Sequence, residues 1–363
     1  MSLRIDISKN KADICLKEHT KVLQRFMVTN DRVGISILLN RLHSYLKDNY
    51  GKKSKTRYLI KAAIESTGNL WINMYEALEH SGISINLANP LKTRAIAEAR
   101  IKYDKMDASI LADLAGADLV SKCYVPDKNT REIRTLIRHR IDLARRRTQL
   151  KNRVHTTLDK YMLKYNGDLF SHKGLEWLDA QNLTMIDRQI IINSYLKEIS
   201  TINELMNNVE KQMASIAMSD KRVDLLLGFT GIDYYGALLL LYEIGDITRF
   251  SNPKKLVSWT GLAPSLYQSG NTMWTGRITR QGNKRIRWFL TEAAQMAARF
   301  DPKMRTFYER ISRKKGHQKA LIAVARKMLV SIYYVLTRNE LYDGHREDVR
   351  TRKIKNMNRV ARK

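Results

Sequence analysis

Residues 1–29, MSLRIDISKNKADICLKEHTKVLQRFMVT, decide how the first part of the chain folds. Three runs rich in β-formers, Leu3 to Ile7, Ala12 to Leu16 and Val22 to Val28, are broken by polar turns at Lys9-Asn10 and Glu18-His19-Thr20. That pattern predicts three successive strands. Asn30-Asp31 then offers an N-cap for a helix with Ile35, Leu38, Leu39 and Leu42 on one side. Tyr58 to Ile64 reads as a further strand, Asn69 to His80 as a helix stopped by Gly82, and Ile83 to Leu87 as another strand.

Three strands in succession, followed by strand–helix alternation, is the element order of a ribonuclease H-like mixed α/β sheet, predicted here for residues 1–125. Residues 126–220 change to a charged helical pattern. Tyr195, Ile199, Ile202, Met206, Val209, Met213 and Ile216 keep alternating spacings of four and three, an a/d seam over about three heptads. Upstream, Leu136, Leu143 and Leu150 recur every seven, with Arg140 and Arg147 in the intervening seam. An antiparallel helical, coiled-coil stalk suited to dimerisation is expected, with an ordinary packed bundle as the alternative. Eight of the 17 glycines fall between Gly228 and Gly282, which concentrates positive φ or close ligand approach in a mainly α-helical C-terminal domain, 221–345. Two of its helices are expected at Lys284 to Arg299 and His317 to Leu336, and 346–363 reads as a basic, flexible, phosphate-contacting tail.

Composition bounds the function. The chain has 363 residues, 65 Lys and Arg against 36 Asp and Glu, and a net charge of +29. With 44% apolar residues it can bury sizeable cores, which excludes general disorder. Cys15 and Cys123 are its only cysteines, which excludes a disulfide scaffold, a zinc finger or an iron–sulfur cluster and suits a reduced, cytoplasmic compartment. No membrane role is expected: Ala320 to Leu336 is interrupted by Arg326 and Lys327, Ala237 to Leu241 is too short, and MSLRIDISKN carries no apolar signal core. Excess cationic charge instead predicts a polyanion, nucleic acid first, because neutralising phosphates releases counterions.

Four carboxylates stand out. Asp6 lies mid-strand among apolar neighbours, and Glu65 closes the apolar strand in Ile64-Glu65-Ser66-Thr67-Gly68. Asp104 and Asp107, three apart, share a helix face. Individually each has a plain alternative as a cap, a turn residue or a solvated charge. Together, in a basic ribonuclease H-like chain, they suit two Mg²⁺ ions clamping a phosphodiester.

Downstream, Thr230 to Ala237 reads as a hairpin between two helices whose backbone N–H groups could donate to a phosphate. Trp259 to Gly270 and Gly276 to Arg287 follow, with serines beside glycines and a run of cations at Arg277, Arg280, Lys284, Arg285 and Arg287. A serine there is a candidate phosphodiester nucleophile, with the cations stabilising the transition state. Ser258, Ser265 and Ser269 are equally placed on these grounds.

The chain resembles the DEDD transposases of insertion sequences and the related Piv-type DNA invertases. Ile5 to Lys9, Ile64 to Gly68 and Lys102 to Ala108 carry the likeness in the first part; Gly261-Leu262-Ala263-Pro264, Gln268-Ser269-Gly270 and Gly282-Asn283 carry it in the second. Arg4 replaces the glycine usual before the first motif, and Tyr103 stands where Thr is common. The resemblance implies that Asp6, Glu65, Asp104 and Asp107 are a Mg²⁺- or Mn²⁺-binding tetrad and Ser269 the nucleophile. It further implies donor and target double-stranded DNA, a structured bridge RNA as guide, and a homodimer assembling to a tetramer. A metal-dependent Holliday-junction-type endonuclease using water, and a non-catalytic nucleic-acid-binding protein, are the competing readings.

Overall fold

The computed structural model describes residues 1–18, 21–50, 60–65, 68–89, 123–269 and 272–362, in two compact units, Met1–Val125 and Pro126–Lys363.

In the first unit, β1 (Ser2–Ile7), β2 (Lys11–Glu18) and β3 (Lys21–Thr29) form an antiparallel meander, and β4 (Lys61–Glu65) and β5 (Ser84–Ala88) run parallel to β1. The order β3-β2-β1-β4-β5 gives the ribonuclease H-like sheet expected from the element order. Alternation sorts the faces. Leu3, Ile5, Ile7, Ile14, Leu16 and Ile64 are buried against Leu38, Leu42 and Leu46 of α1 (Arg32–Tyr50) and Met74 and Leu78 of α2 (Trp71–His80). Asp31 caps α1, its Oδ1 accepting from Gly34 N at 2.8 Å, as its position before the apolar periodicity implied.

The second unit begins with α3 (Lys128–Asp159), capped by Asp127 through Thr130 N. It continues through α4 (His172–Asp179) and a π-helical turn, Ile186–Ile192, into α5 (Asn193–Ser219). The long helices are antiparallel: Arg140 pairs with Glu210 at 2.8 Å, and Arg147 donates to Asn203 at 3.0 Å. Between them lie Leu143, Leu150, Ile199, Ile202 and Met206. The two arginines that interrupt the upstream apolar repeat therefore have polar partners waiting on the facing helix. Ile133, Ile137 and Ile141, on the earlier part of α3, instead join the main core of the unit.

That core surrounds α7 (Tyr234–Ile244), buried on every side, which follows α6 (Lys221–Leu227). Around it stand α8 (Pro253–Thr260), α9 (Lys284–Phe300), α10 (Pro302–Lys315) and α11 (His317–Arg338). By length and composition α11 could cross a membrane, but Leu321, Val324, Met328, Leu329 and Ile332 face the core. The C-terminal segment corrects one expectation. Instead of a flexible tail it forms α12 (Glu347–Arg362), with Met357 buried and Ile354 and Val360 packed on the core. Sparse apolar residues among ten or more polar ones hid that face. Lys353 anchors it, donating to Leu227 O and Phe229 O.

Candidate active site

Register places the first two carboxylates. Ile5 pairs with Ile64 across the parallel β1–β4 ladder, so the next residues, Asp6 and Glu65, stand side by side at the carboxyl ends of neighbouring strands. Both lie on the face opposite the buried Ile5 and Ile64. This end of a parallel sheet is where α/β proteins collect ligands. Asp6 is not the costly buried charge its apolar neighbours suggested: its side chain is 53% exposed, with Arg4 Nη2 at 3.3 Å from Oδ2. Across the antiparallel ladder Asp6 faces Asp13, which extends the row to three carboxylates on three adjacent strands. Sequence reading missed Asp13, although counting back from the tight turn at Ser8–Asn10 finds it. Like charges opposite one another destabilise a ladder; Lys11, 4.0 Å from Asp13, and Arg4, 3.3 Å from Asp6, oppose that.

Asp104 and Asp107 lie outside the described residues. Among the described residues no group of three or more His, Cys, Asp or Glu gathers closely enough to hold a metal ion. Asp6 and Glu65 are hard oxygen donors of the kind Mg²⁺ and Mn²⁺ prefer, and as half of the expected tetrad they fit such an ion.

Ser269 ends β6 (Pro264–Ser269), which pairs with β7 (Thr272–Ile278) in a two-stranded ribbon, Ser269 opposite Thr272. The ribbon hangs from two interlocked turns. Gly261 caps α8 at φ 73°, and Gly282 has φ 108°. A Cβ on Gly282 would lie 1.9 Å from Trp259 O, so only glycine fits there. Arg280 N donates to Gly261 O, Thr279 N to Ala263 O and Asn283 N to Trp259 O, closing the base of the ribbon. Of the other serines, Ser265 donates its hydroxyl to Arg277 O at 2.9 Å, and Ser258 sits within α8.

The five cations flank this base. Arg277, Arg280 and Lys284 are exposed, Arg285 and Arg287 half-buried. Arg287 Nη1 donates to Thr260 O at 2.9 Å; burial and the neighbouring Arg280 charge lower its pKa. Among the described residues none of the five is in an ion pair, and the Nε of Arg285 is buried without a partner. Cations left together without carboxylates invite an anion.

Glu243 was overlooked at the level of sequence. It is a single carboxylate in the apolar run Ala237 to Ile244 and only 2% exposed. Arg138 grips it through two hydrogen bonds of 2.8 and 3.0 Å, and Asn283 Nδ2 donates to it at 2.8 Å. Burial alone would raise its pKa, but Arg138, Asn283 and Arg134 hold it below the usual carboxylate range. Because Asn283 also caps α9 through Arg285 N and Ile286 N, Glu243 fixes where the glycine–asparagine turn lies. The hairpin at Thr230 to Ala237 departs from expectation. Its turn is present, with Gly231 at φ 84°, but Asp233 Oδ1 accepts from Gly236 N at 2.8 Å. A carboxylate therefore occupies the helix start at which a phosphate was expected.

A DEDD-type transposase family matches residues 4–163, and the family described as Transposase IS116/IS110/IS902 matches residues 223–309. The pilin gene-inverting protein of Moraxella bovis is 29% identical over 352 residues, covering 93% of this chain and 96% of that protein. The transposase for insertion sequence element IS1111A of Coxiella burnetii is 24% identical over 361 residues, covering 92% of this chain and 98% of its own length. An uncharacterised protein of insertion element IS110 from Streptomyces coelicolor is 24% identical over 319 residues, 73% of this chain and 78% of that protein. With transposase families matching both units and relatives aligned along more than nine-tenths of its length, the chain belongs to the IS110-type DEDD transposases, enzymes of DNA strand cleavage and transfer.

Proposed function

We propose that the chain cuts and rejoins DNA through a covalent serine–DNA intermediate, with Ser269 as nucleophile and Asp6, Glu65, Asp104 and Asp107 as the carboxylates of a divalent-ion site. The observation that carries this reading is the side-by-side placement of Asp6 and Glu65 at the carboxyl ends of β1 and β4. A divalent ion held there supplies Lewis-acid polarisation of a phosphate oxygen.

The Ser269 hydroxyl attacks phosphorus. An Oγ–P bond forms, the bond to the departing deoxyribose oxygen breaks, and that oxygen takes up a proton while the serine gives one up. One phosphate ester replaces another, so the bond energy is kept in the protein–DNA ester. Reversal by the hydroxyl of a different strand completes the exchange without a nucleoside triphosphate. Arg277, Arg280, Lys284, Arg285 and Arg287 bind the phosphates and oppose the charge that builds on the equatorial oxygens. Ser269 is favoured over Ser265 because the Ser265 hydroxyl is engaged by Arg277 O.

The assembly follows from the same reading. Two chains pair through the 126–220 helical stalk, whose α3–α5 seam is filled within each chain, and dimers combine to a tetramer around donor and target duplexes, addressed by a structured bridge RNA. Exposed Met162, Met185, Ile186 and Ile190, at the end of the α3–α5 pair, support self-association. Incubation with Mg²⁺, the element's RNA and labelled DNA, followed by denaturing gels, tests the reaction. Wild-type protein carries label, and Ser269→Ala loses it while still binding DNA. Labelled adduct persisting in Ser269→Ala, or hydrolysed ends with no adduct at all, contradicts it.

A further inference from the structure

The ribbon that ends in Ser269 carries two large aromatic side chains that neither the fold nor the proposed reaction has used. Tyr267 and Trp274 are cross-strand partners, their rings 6.1 Å apart between centroids and 18° from parallel. A pair of this kind helps to hold a two-stranded ribbon together. That role does not require the rings to stay open, yet Tyr267 is 52% and Trp274 51% exposed. Gly276 makes room for the arrangement: a Cβ there would come within 2.8 Å of Tyr267 Cε2. The pair stands two residues along each strand from Ser269 and Thr272, about 7 Å at ordinary strand rise. The exposed cations Arg277, Arg280 and Lys284, in no ion pair among the described residues, lie at the foot of the same ribbon.

We propose that Tyr267 and Trp274 form a stacking platform for an unpaired DNA base next to the phosphate that Ser269 attacks. The proposal rests on the serine reading above and deepens it. In a duplex the flat faces of the bases are covered by their neighbours, so only a base that has left the stack can lie on an aromatic ring. Strand exchange requires such bases, because a cut end must leave its old partner before it joins a new one. The cations suit the backbone of the same strand, and aromatic faces beside cationic grooves are the usual means of holding single strands without choosing their sequence.

The test uses the full-length protein in EDTA, where binding is read without chemistry, and DNA carrying 2-aminopurine. The probe is placed in a single strand, in a one-base bulge or in a fully paired duplex. Quenching on the single strand and the bulge, but not on the duplex, is expected. Trp274→Val and Tyr267→Val keep strand-forming residues and are expected to weaken single-strand binding by about tenfold or more, with duplex affinity within about twofold of wild type. Trp274→Phe and Tyr267→Phe retain most of the quenching. Wild-type protein that leaves the probe unquenched overturns the proposal whatever the variants do. So do valine variants that bind single strands as tightly as wild type or lose both DNA forms equally, and so does quenching confined to an RNA version of the strand. Ser269→Ala should quench like wild type. Absence of a covalent adduct therefore counts against the serine reaction, and absence of quenching against the platform.

Discussion

In the N-terminal unit, Asp6 and Glu65 stand on strands whose positions are fixed by continuous ladders on both sides, and their apolar neighbours point into a core shared with α1 and α2. In the C-terminal unit, Ser269 stands at the end of a ribbon of only two strands, held at its base by Gly261, Gly282 and Asn283. The first arrangement sets two side chains at a fixed register; the second presents a short excursion beside exposed cations. Charge use differs in the same sense within the second unit. Arg138 and Arg140 on α3 are tied to Glu243 and Glu210, whereas among the described residues Arg277, Arg280 and Lys284 near the ribbon have no carboxylate partner. On the proposed reading, carboxylates that gather cations need rigid spacing. A group that must be seized by DNA and later released benefits from fewer attachments.

The largest effect expected from breaking this contrast is chemical. Asp6→Asn and Glu65→Gln should each reduce strand cleavage at least about a hundredfold, measured as labelled product in Mg²⁺. Because Asp6 is exposed and its ion pair with Arg4 is short-range, its replacement should leave the melting temperature nearly unchanged. Removal of Glu243 should act the opposite way. Glu243→Ala leaves Arg138 without its partner and Asn283 without an acceptor, at about 3 kcal/mol, or a fall of roughly 6–12 °C in melting temperature. Calorimetry distinguishes the two outcomes. Gly282→Ala tests the hinge of the ribbon. Positive φ and the close approach of Trp259 O should together cost about 1–3 kcal/mol, and adduct formation should fall further than stability does.

The smallest effect concerns Lys353 beneath the α6–α7 hairpin. Burial, partly opposed by Asp233, lowers its pKa to about 8, below its unfolded value. The unfolded chain then binds more protons between about pH 8 and 10, so this group favours the folded state increasingly as pH rises through that window. The melting temperature of the wild type, relative to Lys353→Met, should rise by several degrees between pH 7.5 and 9.5, about 2 kcal/mol. A flat difference would mean that the ammonium is better solvated than its two carbonyl partners suggest.

The sheet was readable because strand alternation, short polar turns and a capping aspartate each act locally, and the same runs set the β1–β4 register that joins Asp6 to Glu65. The interior arginines of α3 disturbed the apolar repeat because their partners, Glu210 and Asn203, lie tens of residues away in the chain. Distance along the chain also concealed the link from Glu243 to Asn283. The ribbon escaped notice for another reason: Pro264 to Ile278 is broken by glycines and polar residues, and its aromatic pairing becomes visible only when the two strands are laid side by side. Placing α12 likewise required the core it covers, since its own sequence is mostly polar.

Peptide mapping of wild-type protein trapped on DNA carrying a bridging phosphorothiolate, with sulfur in the leaving position at the cut site, would test the union of carboxylates and serine most directly. A nucleotide mass attached to the peptide containing Ser269, formed in Mg²⁺ and absent in EDTA or in Asp6→Asn, is the expected result. Cleaved DNA accompanied by unmodified Ser269, or a nucleotide on any other residue, would contradict it.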